Sequence, residues 1–122
     1  MDRRADKRYR IRRRDEVSRL FDKGRRLANG RITLLAIPNV RRDGRTRVGV
    51  AVSRRHGSAV RRNRIKRLCR EAFRTVRCEL PGGWDFMIVP RAGRDLTLVS
   101  LQESIRALAG RLIRDAGKEA PA

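Results

Sequence analysis

Eight Arg and Lys side chains fall between Ala59 and Arg77, and Glu71 is the only acid among them. Guanidinium groups at this density do one kind of chemistry well. They grip phosphate bidentately and stack on bases. On a helix, like charges three and four residues apart cost about 0.2–0.5 kcal/mol per pair. A segment that only supported a fold would not gather so many. Set out at about 100° per residue, Ile65, Leu68, Cys69, Ala72, Phe73 and Val76 make one apolar stripe. Opposite lie Asn63, Arg67, Arg70 and Arg74, with Arg64 and Lys66 flanking the row. The first turn adds Arg61 and Arg62. Free N–H groups and the helix dipole favour anions there. The expected contact is phosphate, along this ridge and around its first turn.

Catalysis by the chain itself finds little support. His56 is the only histidine and sits beside Gly57 in a basic loop. It suits RNA contact or loop packing better than proton transfer. Cys69 falls on the apolar stripe, where a small core residue belongs, and Cys78 at the helix end. A zinc site built from these three would lack a fourth ligand and tight spacing. The acids are scattered singly, with no carboxylate pair suited to two metal ions. The expectation is no catalytic residue and no metal site, with a partner's phosphates holding any metal.

The whole composition agrees. The chain carries 33 basic and 13 acidic residues, a formal net charge of +20. Self-repulsion on that scale calls for a polyanionic partner, and nucleic acid comes first. A length of 122 residues suggests one domain, and aromatics at 4% leave the core to Leu, Ile, Val and Ala. No apolar run is long enough to span a membrane. The charged N-terminus has no apolar segment after it, and it contains Asp2, Asp6, Asp15 and Glu16. A secretory or transit peptide is therefore not expected. Two cysteines make no disulfide framework, so a reduced, cytoplasmic chain is expected.

The elements that must position the ridge are readable. Residues 1–14 form a flexible basic arm, with order only near Tyr9 and Ile11. Residues 15–114 form a single RNA-binding domain, and 115–122 a frayed tail. Asp15 is suited to cap a helix that carries Val17, Leu20 and Phe21 on one face and stops at Gly24. RITLLAI, residues 31–37, reads as a strand, and Asp43-Gly44 as a turn. RVGVAVS, residues 47–53, alternates Val48, Val50 and Val52 against Gly49, Ala51 and Ser53. The small face admits a close neighbour. DFMIVP, residues 85–90, is a buried strand. A last helix follows, with Ser100 and Glu103 as its capping box. Helix, two strands, helix, strand and helix make a mixed α+β domain.

SRRHGSAVRRNRIKRLCREAF resembles the signature of the bacterial ribonuclease P protein subunit. Val52-Ser53-Arg54-Arg55 ends a strand, Gly57 lies in the loop, and Arg62-Asn63-Arg64 precedes Lys66-Arg67 and Arg70. RDEVSRLFDKGRRLANGRITLLAI and FMIVPRAG extend the likeness over about residues 9 to 114. The resemblance implies a two-layer α/β sandwich on a small mixed sheet of about four strands. A left-handed βαβ crossover passes through the basic helix, as in a ribosomal-protein domain. It implies a subunit that binds a large catalytic RNA and helps it remove the 5′ leader of precursor tRNA. Hydrolysis is then the RNA's, with Mg2+ held mainly by RNA. Partners are ribonuclease P RNA and precursor tRNA, with no membrane and no small-molecule substrate.

By position, contacts to the RNA subunit would be Arg54, Arg55, Arg62, Asn63, Arg64, Lys66, Arg67 and Arg70. The ridge itself adds Arg61 and Arg74. The leader would cross a cleft formed by Val17, Phe21, Leu35, Val50, Val52 and Arg91. Cleft positions in this family are often aromatic, suited to stacking single strands. Here Val17 and Leu35 are not, and Phe21 either stacks a base or packs in the core. A structural, ribosomal-type RNA-binding protein without a substrate role is the alternative. A DNA-binding module would need a compact helix-turn-helix, which the strands before the basic helix do not supply.

Overall fold

A computed structural model of the chain describes residues 9–39, 44–93 and 95–119. In chain order come α1 (Arg14–Lys23), β1 (Arg25–Ala28), β2 (Ile32–Pro38), β3 (Arg47–Val50), α2 (Ala59–Val76), β4 (Trp84–Pro90) and α3 (Leu98–Glu119). The strands form one sheet in the order β1-β2-β4-β3. β1 and β2 pair antiparallel, as do β2 and β4, while β3 and β4 run parallel with α2 as their crossover. This is the mixed α+β architecture expected, with the basic helix between the two parallel strands.

Period-two alternation divides the sheet between two cores. Leu34, Ala36, Phe86 and Ile88 face α2 and α3 and join Phe73, Leu101 and Ile105. Leu35 and Met87, one residue out of step, face the other way and meet Leu20 of α1 and Ile11. Burying each such side chain contributes about 1.5–3 kcal/mol. α1 therefore adds a partial cover on the face that α2 and α3 leave open.

Several local expectations change. β1 has no sequence counterpart among them. RRLA lacks β-branched residues, and pairing with β2 makes it a strand. Arg13, not Asp15, is the N-cap of α1, without a side-chain bond. Asp15 lies in the first turn and pairs with Arg13 at 3.3 Å. β3 ends at Val50 rather than at residue 53. Past it, Pro90 has no N–H to donate to the Ala51 carbonyl. α3 is capped one turn earlier than expected. Thr97 N–H donates to Ser100 Oγ and Ser100 N–H to Thr97 Oγ1, both at 3.0 Å. α3 also runs to Glu119, past the boundary drawn at 114.

The boundary of the arm also moves. Tyr9 accepts from Val48 N–H at 2.7 Å, Ile11 N–H donates to Val48 O at 2.9 Å, and Ile11 is buried. Chain from residue 9 onward thus belongs to the sheet edge. Residues 1–8, Asp43 of the expected turn and residues 120–122 lie outside the described residues.

Candidate RNA-binding site

α2 begins at Ser58, whose Oγ accepts from Arg61 N–H at 3.3 Å. Its apolar stripe is where the spacing placed it. Cys69, Ala72, Phe73 and Val76 are buried, and Ile65 and Leu68 are packed against them. Burial pushes the Cys69 thiol up to about 12, so it stays protonated and inert. On the outer side Arg61, Asn63, Arg64 and Arg67 are exposed, and Arg62, Lys66, Arg70 and Arg74 half-buried. Arg54 and Arg55 are exposed on a single 3-10 turn, Arg54–His56, that leads into the helix. The structure therefore brings all ten ridge residues onto α2 and the turn feeding it.

Two features of this surface were not legible beforehand. Arg74 is engaged by Glu71 at 3.1 and 2.6 Å, which holds the Glu71 carboxyl below its ordinary range. The arm also joins the ridge. The Arg77 guanidinium lies 3.4 Å from the Tyr9 ring centroid, a cation–π contact. A groove of about 580 Å³ separates arm from helix and is lined by Arg10, Arg67, Arg70, Arg74 and Arg77. Burial and then the nearby charge of Arg10 lower the proton affinity of Arg70, with Arg12 adding to it. Among the described residues, Nε of Arg10 and Nε of Arg62 are buried N–H donors without a hydrogen-bond partner. Crowded cations with spare donors favour an anion in their midst.

The expected cleft residues do not share one surface. Val17 is half-buried on α1, beside a second groove of about 180 Å³ that Arg12, Gly49, Val50, Ala51 and Met87 also line. Phe21 is 41% exposed, so its ring is not a core residue. Leu35 is 1% exposed and lies beneath α1, where no leader can touch it. Val50 borders the second groove but is packed against the larger core on the opposite face. Val52 is half-buried just past β3. Arg91 is exposed at the end of β4, and its N–H donates to Arg31 O at 2.9 Å.

Register supplies positions that sequence reasoning missed. Arg26 pairs with Leu35, Ala28 with Thr33, and Thr33 with Val89. Alternation puts all of these on the α1 face, on strands that α1 leaves partly uncovered. Arg26 and Ala28 are exposed, and Thr33 half-buried. The missing signal was β1 itself. Without it, Arg26 had no neighbour.

Known proteins resemble this chain in sequence and in fold. The family described as Ribonuclease P matches residues 5–113. The chain belongs to the bacterial ribonuclease P protein family. It is 39% identical over 100 residues to the ribonuclease P protein component of Shouchella clausii, covering 81% of each chain. The corresponding protein of Oleidesulfovibrio alaskensis is 37% identical over 99 residues, covering 81% of this chain and 79% of that one. The solved ribonuclease P protein of Thermotoga maritima superposes with a TM-score of 0.73 at 30% identity, over 84% of this chain and 96% of that one. As a ribonuclease P protein, the chain is a subunit of the endoribonuclease that processes tRNA.

In this ribonuclease P protein a buried arginine on β3 pairs with β4 inside the sheet and with half-buried Glu16 of α1. The Arg47 guanidinium donates to Asp85 Oδ1 at 3.0 Å and Oδ2 at 2.7 Å, and its Nη2 also pairs with Glu16 of α1. Burial works against the Arg47 charge, but Asp85 and Glu16 outweigh it and hold the proton more firmly than usual. These two carboxylates converge on a guanidinium, so they are not free to take a metal. Among the described residues no group of three or more His, Cys, Asp and Glu could hold one, and no described helix is long and apolar enough to cross a membrane.

Proposed function

We propose that this subunit binds the catalytic RNA of ribonuclease P through the α2 ridge and lays the 5′ leader of precursor tRNA over the α1 face of the sheet. Cleavage of the leader then gives the mature tRNA 5′ end. The observation that carries this reading is the one-sidedness of the charge. Arg54, Arg55, Arg61, Arg62, Asn63, Arg64, Lys66, Arg67 and Arg70 share one helix and its entry turn. The apolar stripe of that helix is spent on the core.

The second surface suits a single strand. Phe21 offers an exposed ring for stacking, worth about 1–3 kcal/mol per base. Ala28 and Thr33 leave room for a backbone, and Arg26, Arg31 and Arg91 edge that face for phosphates. Leu35 takes part only by supporting α1 from below, and Val50 and Val52 by shaping the edge. That Arg70 borders both grooves supports a role for it between the RNA subunit and the leader. In this reading any Mg2+ would be held by RNA phosphates and would supply the activated water and the charge for the leaving oxygen. The protein neutralises phosphates around it and so lowers the Mg2+ needed. The site of action is the cytoplasm.

Competition binding tests the reading. A structured RNA with a single-stranded 5′ extension should displace the same RNA trimmed to its 5′ end, and both should displace duplex DNA. Equal affinity for the extended and trimmed RNAs would leave a structural RNA-binding role and remove the substrate one.

A further inference from the structure

β3 and β4 run parallel, with Val48 opposite Phe86 and Val50 opposite Ile88. In a parallel ladder, N–H groups of alternate residues on one strand donate to carbonyls spaced two apart on the other. Ala51 N–H donates to Ile88 O at 3.0 Å. The next rung would join Ser53 N–H to Pro90 O. Instead the His56 imidazole stands between them. Ser53 N–H reaches Nδ1 at 3.0 Å, and Nε2 lies 2.7 Å from Pro90 O. Nδ1 also lies 3.5 Å from Ser53 Oγ and 3.2 Å from the Ser53 carbonyl.

Local chemistry explains how a ring enters a ladder. Pro90 has no N–H for the Ala51 carbonyl, so β3 is free to splay at that point. Residues Arg54–His56 close a 3-10 turn, which folds the ring back under its own chain. Gly57 follows at φ 110°, where a Cβ would come within 2.9 Å of Arg61 Cδ. The ring is 8% exposed, so it is not itself a surface for RNA. Ser53 N–H can only donate and Pro90 O only accept, so these two shorter contacts are met when Nδ1 accepts and Nε2 donates, leaving the 3.2 Å Ser53 carbonyl contact unbonded. The neutral Nε2–H tautomer satisfies both partners.

What the ring joins matters for function. Ser53 leads directly into Arg54 and Arg55, and Pro90 directly into Arg91. We propose that His56 is a positioning residue, an imidazole spliced into the β3–β4 ladder that sets the spacing between the Arg54–Arg55 turn and the Arg91 end of the sheet face. It thereby fixes the RNA subunit relative to the leader. This rests on the reading under Proposed function.

The test combines a spectrum with three proteins. Nitrogen-15 shifts of the His56 ring should show Nε2 protonated and Nδ1 bare. His56→Leu removes both bonds. His56→Gln places an amide donor where Nε2 was, still in reach of Pro90 O. Each is assembled with a bacterial ribonuclease P RNA, and its affinities for precursor and mature tRNA are compared. His56→Leu should fold by circular dichroism yet lower the preference for precursor on the order of fivefold, as loss of a hydrogen bond predicts. His56→Gln should recover part of it. A purely structural role would lower stability and leave that preference unchanged, which would overturn the proposal. So would a charged or Nδ1–H ring. If His56→Leu does not fold, His56→Gln alone decides by the same ratio. A wild-type protein with no preference for precursor would refute the leader reading and the positioning role with it. The ring spectrum would then still show whether the imidazole bridges the strands.

Discussion

The two faces of the sheet are built unequally. Behind the basic ridge, α2 and α3 bury Phe73, Phe86, Leu34, Ile88, Leu101 and Ile105 in one continuous core. On the α1 face the buried cluster is Ile11, Leu20, Leu35 and Met87. A ridge of like charges must be held against its own repulsion, and a large apolar area does that. A face meant to receive a strand must stay open, so it can bury little. α1 compensates with an ion pair, the Glu16 carboxylate on Arg47. The lesson is that the face proposed to bind phosphate is anchored by area, and the face proposed to take the leader by a few specific contacts. The second should be the easier one to break.

The largest expected effect breaks that second anchor. Arg47→Met leaves Asp85 buried without its cation, and removing one partner of a buried pair costs about 3–5 kcal/mol. Urea unfolding should show a loss of that size. A loss below about 1 kcal/mol would mean that the charges on Arg47 add little to the packing around them. Next comes the ridge. Arg67→Ala with Arg70→Ala should leave the core intact, weaken assembly with the RNA subunit about tenfold or more, and flatten the salt dependence by about one unit per lost phosphate contact. An unchanged slope would take the ridge out of the interface.

Phe21→Ala separates the faces more finely. It should weaken binding of precursor by about 1–3 kcal/mol, with mature tRNA unaffected and the melting temperature nearly so. Equal losses for both RNAs would make Phe21 a packing residue. The smallest effect belongs to Glu71→Gln. It removes the carboxylate charge that Arg74 meets in a half-buried i, i+3 pair, a pair worth little in itself. RNA affinity should rise about twofold or less, measured by the same titration. A fall would give Glu71 a positive part in ordering the ridge.

The ridge was legible because a helix repeats every 3.6 residues, so local spacing alone sorts α2 into stripe and ridge. The buried positions of Cys69, Ala72, Phe73 and Val76 follow from that. The cleft was less legible because strands acquire neighbours only through long-range pairing. Val50 alternates away from Leu35 once the register with β4 is fixed, and no spacing within residues 47–53 reveals it. β1 is a strand because β2 lies beside it. His56 shows the same limit. Beside Gly57 it read as loop packing or RNA contact, and the carbonyl that decides lies 34 residues away. The arm gave a partial signal, since Tyr9 and Ile11 are its only aromatic and β-branched residues. The partners that order them, Val48 and Arg77, are remote in sequence.

One measurement bears most directly on the central claim, that this chain serves a catalytic RNA through one face and its substrate through the other. A bacterial ribonuclease P RNA should be given precursor tRNA at low Mg2+ and near-physiological salt, with and without the protein. Cleavage at the mature 5′ end that requires both components is the predicted result, and Phe21→Ala should weaken it. Tight RNA binding with no gain in cleavage would contradict the account, and would leave this chain a structural partner of RNA.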